Sequence, residues 1–425
     1  MVQRWYVKCP TCEKLYQIKI QVDSNLGIFE WPISFECLNC GEILEYTYSS
    51  KGLRPKEYSS RPSPSDPPIT TIGYSSSLPI TDDLYLKDLD YGESIALFSP
   101  FINLSSHGHF TLDELAAFDS FLRKMQVSLL PYKGVLKALL PIMKKGNVKA
   151  FSKKMDDFFG FGHNNNKALF TAQDVHDTYF ELLEKNYNNL IPPRFEEYYY
   201  KIYIKPLHVY LDKASAIDVK QVKDKLDESG KISIWYKEKA LPYIAQMVNE
   251  IQKFISSMIY SSAGVKDVKR RGDLKVVTIS FDDAVDKYEE GYEIFSNGLK
   301  IIVGLNNIVE NGNINTFTNP KLGGNVGITE FASLSVGKMV EHIENYTTVA
   351  NYLNGAMNNK IRNASIHHNI SYDPSTQEVL CYYNPADLSK VYNTTLMEIC
   401  WLSYLQLLHI MDATLLARKI VEKGK

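Results

Sequence analysis

The sequence predicts a mainly α-helical protein with a small β unit at its amino end, and three observations lead to this fold class. Alternating apolar and polar residues between positions 1 and 50 are typical of short strands. Residues 81–230 contain several segments in which apolar side chains recur at spacings of three and four, the period of an α-helix. Residues 231–425 contain four longer segments with the same period. We therefore expect a β unit, a central helical domain and a carboxy-terminal helical bundle.

Length, charge and hydropathy limit the classes of function. A hydrophobic content of 44% over 425 residues allows large cores. The formal net charge of -2 excludes a chain coated with positive charge, so any contact with nucleic acid has to come from local basic patches. The amino end lacks the layout of a secretory signal, and the most apolar stretch is interrupted by Glu398, Gln406 and His409. We expect a cytoplasmic protein that makes no contact with a membrane.

Two CxxC pairs lie in the first 50 residues, Cys9 with Cys12 and Cys37 with Cys40. Each pair forms a tight turn that directs two thiolates to one point, and two such turns complete a tetrahedral zinc site. The sequence thus predicts a zinc ribbon over residues 1–50. We expect the zinc to be structural, because so small a unit buries little surface and because four thiolates leave no open position for a catalytic water. A redox role of one CxxC pair would not need the second pair.

The aromatic residues of the ribbon allow two interpretations. Trp5, Tyr16, Trp31 and Tyr46 can offer stacking platforms to nucleic acid, or they can form the core of the unit. Aromatic side chains in so small a unit more often form its core.

Two segments lack helical periodicity. One follows the ribbon, and the other lies between helical segments of the carboxy-terminal part. Residues 51–80 are rich in Ser and Pro, which predicts a flexible linker. The basic run over residues 265–275 is equally typical of a solvated loop and of a contact with a nucleic-acid backbone.

The four long helical segments of the carboxy-terminal part have recognisable starts. Ser280 with Asp283 forms a possible capping pair before the second segment, and Thr395 with Glu398 forms one before the last segment. The four segments cover residues 239–259, a stretch from Ser280 to Ile302, a stretch from Met339 to Ile361, and a stretch from Thr395 toward Ile420.

The third segment ends in the string RNASIHHNISYD, which begins at Arg362. Asn363 and His367 are four residues apart, so that the amide can orient the imidazole if the helix persists. His367 would lie about 140° around an ideal helix from Arg362, and one straight helix would not bring both side chains to one phosphate. Either the helix breaks here, as the following turn indicates, or a second protomer completes the site.

This string resembles the RNase motif of the HEPN superfamily (higher eukaryotes and prokaryotes nucleotide-binding domains) in its bacterial abortive-infection and phage-defence version. The shared pattern is Arg362, Asn363 directly after it, and His367 five residues after the arginine. The resemblance implies that residues 231–425 form a HEPN-like bundle. It also implies a metal-independent endoribonuclease that acts in anti-phage defence as a homodimer and leaves 2′,3′-cyclic phosphate ends.

The resemblance also assigns a role to each residue of the motif. His367 would transfer protons near neutral pH, Arg362 would hold phosphate oxygens, and Asn363 would position the phosphate or the imidazole. His368 offers a second register, six residues after Arg362, so His367 and His368 are both candidates for the catalytic histidine. Tyr372 and Asp373 can frame the cleft, but Asp373 with Pro374 also opens an ordinary turn, and we assign both residues a structural role.

Partners follow from the same resemblance. We expect RNA as the substrate, tRNA first among the candidates, and control of the activity by a phage-derived trigger or an antitoxin. The alternative function is a non-catalytic module that binds a nucleic acid or a protein through the zinc ribbon and dimerises through the HEPN-like bundle.

Overall fold

The structure is a computed structural model that describes most of the chain. The described residues are 2–23, 29–56, 69–81, 87–89, 104–105, 108–160, 171–193, 196–260, 274–315, 318–319, 324–325, 327–344, 347–353 and 355–424.

The strands of the described residues are short. In chain order they are β1 (Val2–Lys8), β2 (Leu15–Gln21), β3 (Trp31–Glu36), β4 (Ile43–Ser49), β5 (Gly52–Arg54), β6 (Ile69–Ser75), β7 (Ile80–Thr81), β8 (Lys87–Leu89), β9 (Leu274–Lys275), β10 (Thr318–Asn319), β11 (Gly324–Asn325), β12 (Ile370–Tyr372), β13 (Glu378–Tyr382) and β14 (Val391–Thr395).

The helices make up the larger part of the structure, which confirms the prediction of a mainly α protein. They are α1 (Leu112–Ser128), α2 (Val135–Lys144), α3 (Val148–Phe159), α4 (Ala172–Leu190), α5 (Lys205–Lys213), α6 (Ala216–Gly230), α7 (Ile232–Trp235), α8 (Leu241–Asn249), α9 (Phe281–Asn311), α10 (Ile328–Ser333), α11 (Val336–Glu344), α12 (Thr347–Leu353), α13 (Asn359–Ile366) and α14 (Leu396–Lys423). Two π-helical segments, Glu196–Ile204 and Tyr236–Ala240, and two 3₁₀ segments, Leu130–Tyr132 and Ile251–Met258, connect some of them.

The chain forms two compact units, and each unit is assembled from three separate stretches of sequence. The first, called the ribbon unit after the ribbon predicted for residues 1–50, comprises Met1–Gln126, Ile251–Lys287 and Lys360–Tyr404. The helical unit comprises Val127–Glu250, Tyr288–Asn359 and Leu405–Lys425. The predicted boundaries after residues 50, 80 and 230 are therefore not boundaries between compact units. Patterns in the sequence reflect neighbours along the chain, whereas each of these units is held together by contacts between distant segments.

A four-stranded sheet in the order β1-β2-β6-β8 begins the ribbon unit. β1 pairs antiparallel with β2, with Val2 opposite Gln21 and Lys8 opposite Leu15. β6 pairs parallel with β2, and every residue of Ile69–Ser75 is buried. The prediction of a flexible linker over residues 51–80 is therefore wrong for β5, β6 and β7, while residues 57–68 lie outside the described residues. Four consecutive β-branched residues open ITTIGYS, and β-branched residues favour a strand.

A three-stranded sheet in the order β3-β4-β5 completes the amino-terminal part. Trp31 lies opposite Tyr48 and Glu36 lies opposite Ile43. The inward residues of both sheets form one hydrophobic core that includes Tyr16, Trp31 and Tyr46. These three are at most 5% exposed, which confirms their predicted core positions, whereas Trp5 is half-buried and packs against the core.

A third sheet of the ribbon unit follows α13 directly. Its order is β12-β13-β14, with Ile370 opposite Cys381 and Glu378 opposite Thr395. The Asp373 carboxylate holds the turn after β12 by accepting hydrogen bonds from the backbone N–H and the hydroxyl of Ser375 at 2.8 and 2.7 Å. The assignment of Asp373 to a turn is thus confirmed.

The basic run at residues 265–275 ends in a buried lysine. Residues 265–273 lie outside the described residues, whereas Lys275 is 1% exposed and its ammonium donates to the carbonyl oxygen of Thr376 at 2.8 Å. Lys275 is therefore neither a solvated loop residue nor accessible to a nucleic-acid backbone.

The helical unit has an aromatic and aliphatic core. The predicted stripe of α9 is buried at Tyr288, Tyr292, Phe295 and Leu299, each 0% exposed. The indole nitrogen of Trp235 in α7 donates to the carbonyl oxygen of Ile294 at 2.9 Å, which ties α7 to α9. Because the helical unit joins Val127–Glu250 with Tyr288–Asn359 and Leu405–Lys425, the central domain predicted at 81–230 and the bundle predicted at 231–425 are not separate.

Two of the predicted long helices have the expected capping pairs, but another is interrupted. The capping pairs are present: the N–H of Asp283 donates to the Ser280 hydroxyl and the N–H of Glu398 donates to the Thr395 hydroxyl, each at 3.2 Å. The segment from Met339 to Ile361 forms three helices, α11, α12 and α13, in place of one. Gly355 adopts a left-handed conformation with φ of 77° between α12 and α13, which ends a continuous helical path.

An aspartate lies in the middle of the helical core. Asp412 of α14 is 0% exposed, and its carboxylate accepts hydrogen bonds from the hydroxyls of Tyr187 and Tyr352. Burial raises the pKa of Asp412 to about 7, although the two hydroxyl hydrogen bonds act in the opposite direction. A carboxyl group placed here is therefore held partly protonated near neutral pH.

α14 is the helix that contains the most apolar stretch of the sequence. Among the described residues it alone is long and apolar enough to cross a membrane, and that apolar stretch is entirely buried inside the structure.

Candidate functional site

The four amino-terminal cysteines converge on one point of the ribbon unit. Two turns of the same design bring them there, since the N–H groups of Cys9 and Cys37 donate to the carbonyl oxygens of Lys14 and Glu42 at 2.9 and 2.8 Å. The fourth residue after the first cysteine of each turn, Glu13 and Gly41, has a positive φ. The sulfur atoms of Cys9 and Cys40 are 3.5 Å apart, and so are those of Cys12 and Cys37.

This arrangement is compatible with a zinc site. All four sulfur atoms lie within 4.8 Å of one another. Tetrahedral zinc with Zn–S bonds of about 2.3 Å separates its sulfur ligands by about 3.8 Å, close to the observed spacing. Cys9 and Cys37 are buried, whereas Cys40 is exposed, so the site lies at the edge of the unit. The prediction that these residues come together is confirmed.

Tyr16 supports the site from the core, a role that the spacing of the cysteines does not indicate. Its hydroxyl donates to the Cys37 sulfur at 3.0 Å and accepts from the N–H of Leu38 at 2.9 Å. Burial acts to raise the pKa of Cys37, but the hydrogen bonds from Tyr16 and from backbone N–H groups outweigh it and lower that pKa to about 6. A thiolate at Cys37 is thus favoured, as a zinc ligand requires.

His176, Asp177 and Glu422 of the helical unit form a second group of possible metal ligands. The charges of its two carboxylates are neutralised by Arg418. Arg418 donates to the Asp177 carboxylate at 2.7 Å and to the Glu422 carboxylate at 2.9 Å. Its guanidinium also lies over the Phe180 ring, 4.6 Å from the centroid. We interpret the group as an ion-pair network around Arg418, because a metal would have to displace the guanidinium.

The predicted catalytic residues lie at the carboxyl end of α13 in the ribbon unit. Ile361 and Ala364 are buried and direct this face of the helix to the core, while Arg362 and Asn363 are half-buried. His367 and His368 are exposed. The apolar spacing that predicted a helix here therefore also separates the polar residues from the core, as the sequence indicated.

The helix stops before the histidines, in a well-defined motif. The N–H of His368 donates to the carbonyl oxygen of Ser365 at 2.9 Å, and the N–H of Asn369 donates to that of Ala364 at 2.8 Å. His368 has φ of 53°, the left-handed conformation that this position of a Schellman motif requires and that glycine usually supplies. Of the two predicted alternatives, a helix break at this point is confirmed.

The expected contact between Asn363 and His367 is not formed. The side-chain oxygen of Asn363 accepts a hydrogen bond from Nη1 of Arg362 at 3.3 Å, and its backbone carbonyl oxygen accepts from the N–H of His367 at 3.3 Å. The end of the helix at Ile366 explains the difference, since a contact between side chains four residues apart needs a helix through both. Asn363 therefore positions Arg362 instead of the imidazole.

A groove of about 590 Å³ lies in the same unit, and no pattern in the sequence predicted it. Tyr372, for which the sequence predicted a structural role, ends β12, lines this groove and stacks on Phe281 with ring centroids 4.3 Å apart and planes inclined by 5°. Phe281 and Tyr372 are 91 positions apart in the sequence, so that no local signal could have paired them.

Comparison of the chain with protein-family models, with curated proteins and with solved structures finds no match in any of the three.

Proposed function

We propose that this protein is a metal-independent endoribonuclease of the HEPN type, which acts in anti-phage defence by cleaving RNA, with tRNA as the first candidate. The observation that carries the proposal is the end of α13. There Asn363 holds Arg362, and two exposed histidines follow the last helical residue, Ile366.

These residue types suffice for cleavage of RNA by transesterification. One group has to take the proton of the ribose 2′-OH, a second has to protonate the departing 5′-oxygen, and positive charge has to stabilise the phosphorane-like transition state. Imidazole exchanges protons near neutral pH, and a guanidinium binds two phosphate oxygens at once. We assign proton transfer to His367 and charge stabilisation to Arg362. The products would carry 2′,3′-cyclic phosphate ends.

We assign the active form to a homodimer. The family that the motif resembles pairs two copies of the motif across a dimer interface, and a composite cleft of two chains would bring together two copies of Arg362 and His367. His367 is preferred over His368 because the left-handed backbone of His368 serves the helix end.

The four cysteines would hold a structural zinc ion. Four thiolates close its coordination sphere, so the ion would supply folding energy to the ribbon and no catalytic water. Cys9 and Cys37 belong to the hydrophobic core that the two amino-terminal sheets share, and the ion would link these sheets through the two side chains.

The test is cleavage of total cellular RNA by the purified wild-type protein, in the presence of EDTA. His367→Ala should lose cleavage by a factor of roughly 100 or more, the contribution of general acid–base catalysis. His368→Ala is the matched control, because it removes an equally exposed imidazole one residue away. Cleaved ends should carry cyclic phosphate, and the dimer should persist in both variants.

Equal cleavage by wild type and His367→Ala would contradict the assignment to His367. If His368→Ala alone were inactive, the catalytic role would belong to His368. A folded wild-type dimer that leaves all RNA intact would favour the alternative function, a zinc-ribbon module that binds nucleic acid or protein and dimerises through its helices.

A further inference from the structure

The amino-terminal strand β1 presents basic side chains along one edge of the ribbon unit. Among the described residues β1 pairs with β2 alone, so it is an edge strand of the four-stranded sheet. Arg4, Tyr6 and Lys8 are alternate residues of β1, and their side chains therefore point to the same side of the sheet. Trp5 and Val7 point to the opposite side, where the hydrophobic core lies. We call Arg4, Tyr6 and Lys8 the outer row of β1.

Both cations of the outer row are accessible to a ligand. Arg4 and Lys8 are exposed, and within the described part of the chain neither of them forms an ion pair. A guanidinium binds two phosphate oxygens at once, and an ammonium binds phosphate as a point charge. The two residues are four positions apart, which corresponds to about 14 Å along an antiparallel strand. One extended chain of nucleotides can therefore contact both cations.

An aromatic ring lies between the two cations along the strand. Tyr6 is half-buried, and its hydroxyl accepts a hydrogen bond from Nε2 of Gln17 at 2.8 Å. Gln17 lies directly opposite Tyr6 in β2 and is 4% exposed, so this hydrogen bond holds the ring to the sheet. Proteins that bind single-stranded nucleic acid combine cations along the backbone with aromatic rings on which the bases stack. The outer row has this order of cation, ring and cation.

A third cation lies directly opposite Arg4 in the neighbouring strand. Lys19 of β2 is the cross-strand partner of Arg4 and is 5% exposed. Burial and the charge of Arg4 lower the pKa of Lys19 to about 8, so that Lys19 still carries its proton near neutral pH. Like charges directly opposite each other destabilise a sheet, and an anion bound at Arg4 would reduce this repulsion. Charges on an edge strand also discourage association between sheets, but that protection does not need a cation in the interior strand β2.

We propose that the outer row of β1 is a contact surface for single-stranded RNA. Arg4 and Lys8 would each bind a phosphate, and Tyr6 would stack on a base between them. The surface would add affinity without base preference, since every base has a π-face. It belongs to the same unit as the end of α13 but contains no residue assigned to cleavage. The choice of RNA as the ligand rests on the proposed ribonuclease function.

The test is fluorescence anisotropy with the full chain and a labelled 2′-O-methyl oligouridine. Transesterification cannot cleave this probe, because its 2′-oxygens are methylated. Tyr6→Leu should weaken binding roughly 5- to 150-fold, the effect of losing one stacking side chain. Tyr6→Phe is the matched control, since it keeps the ring and should bind the probe as the wild type does.

Salt dependence tests the phosphate contacts separately. Arg4→Ala and Lys8→Ala should each reduce the slope of the log association constant against log salt concentration by about 0.7, the value for one phosphate contact on a single strand. Lys51→Ala should leave the slope unchanged, since Lys51 is an exposed cation in the turn between β4 and β5. Arg4→Ala should not lower the free energy of unfolding, because it removes a charge opposite Lys19, and loss of binding in this variant is then not loss of folding.

The outcomes separate this inference from the ribonuclease proposal, because binding of the probe does not require cleavage. Probe binding that depends on Arg4, Tyr6 and Lys8, without cleavage of cellular RNA, would overturn the catalytic proposal alone. Cleavage by the wild type, with probe binding unchanged in Arg4→Ala and Tyr6→Leu, would overturn the inference about β1 alone. If labelled polyglutamate bound in place of the RNA probe, with dependence on Arg4 and Lys8 but none on Tyr6, the surface would belong to an acidic protein and the choice of RNA would be overturned.

Discussion

Replacing Asp412 by asparagine should stabilise the protein at neutral pH, by an amount that depends on pH. Asp412 is fully buried between the hydroxyls of Tyr187 and Tyr352. Asparagine has nearly the same shape and can accept from one hydroxyl and donate to the other, but it carries no charge. The substitution therefore removes the cost of ionising a buried carboxyl group and leaves the packing intact.

The size of the effect follows from the pKa of Asp412, which burial raises from 3.8 to about 7. One pKa unit corresponds to about 1.4 kcal/mol, so the shift corresponds to about 4 kcal/mol. Between these two values the unfolded chain has lost the proton that the folded protein still holds. The unfolded state then binds fewer protons, and the free energy of unfolding falls as pH rises. The stability that protonated Asp412 contributes is thus fully present below the unfolded pKa of 3.8. It is lost as the pH rises through the folded pKa of about 7.

The assay is urea denaturation of the wild type and Asp412→Asn, followed by circular dichroism at several pH values. As the pH rises from about 4 to about 8, the free energy of unfolding of the variant should increase by about 4 kcal/mol relative to that of the wild type. Asp387→Asn is the control of opposite sign, because hydrogen bonds from the hydroxyl and the N–H of Ser389 lower the pKa of that exposed carboxyl. A difference between wild type and Asp412→Asn that does not change with pH would refute the reasoning.

Three further predictions concern the zinc site, the helix end and a close helix contact. The purified protein should contain about one zinc ion per chain by metal analysis, and Cys37→Ser should release it and lower the melting temperature of the ribbon unit. His368→Gly should raise the free energy of unfolding by up to about 1 kcal/mol, since glycine adopts the left-handed conformation without cost. His367→Gly should give no such gain, and equal effects of the two substitutions would contradict the assigned helix cap. Gly291→Ala should destabilise the protein by about 1–3 kcal/mol, because a Cβ atom there would clash with Tyr243; Gly304→Ala, whose nearest neighbours would be at 3.4 Å, should cost less in the same denaturation experiment.

The sequence by itself determined the features that depend on neighbouring residues. The CxxC spacing placed Cys9 with Cys12 and Cys37 with Cys40, because a turn of this length is a local structure. The apolar period determined α9, and the pairs Ser280 with Asp283 and Thr395 with Glu398 determined where two helices begin. The separation of Arg362 and the histidines from the core followed from the same period.

Only the tertiary structure decided the features that join distant segments. β6 became a buried strand because β2 provides its hydrogen-bond partners, although a Ser- and Pro-rich composition predicts a linker. The pairing of Phe281 with Tyr372 depends on the packing of α9 against the third sheet. Side-chain contacts of this kind are set by the burial of apolar surface, which is not a property of any single stretch of sequence.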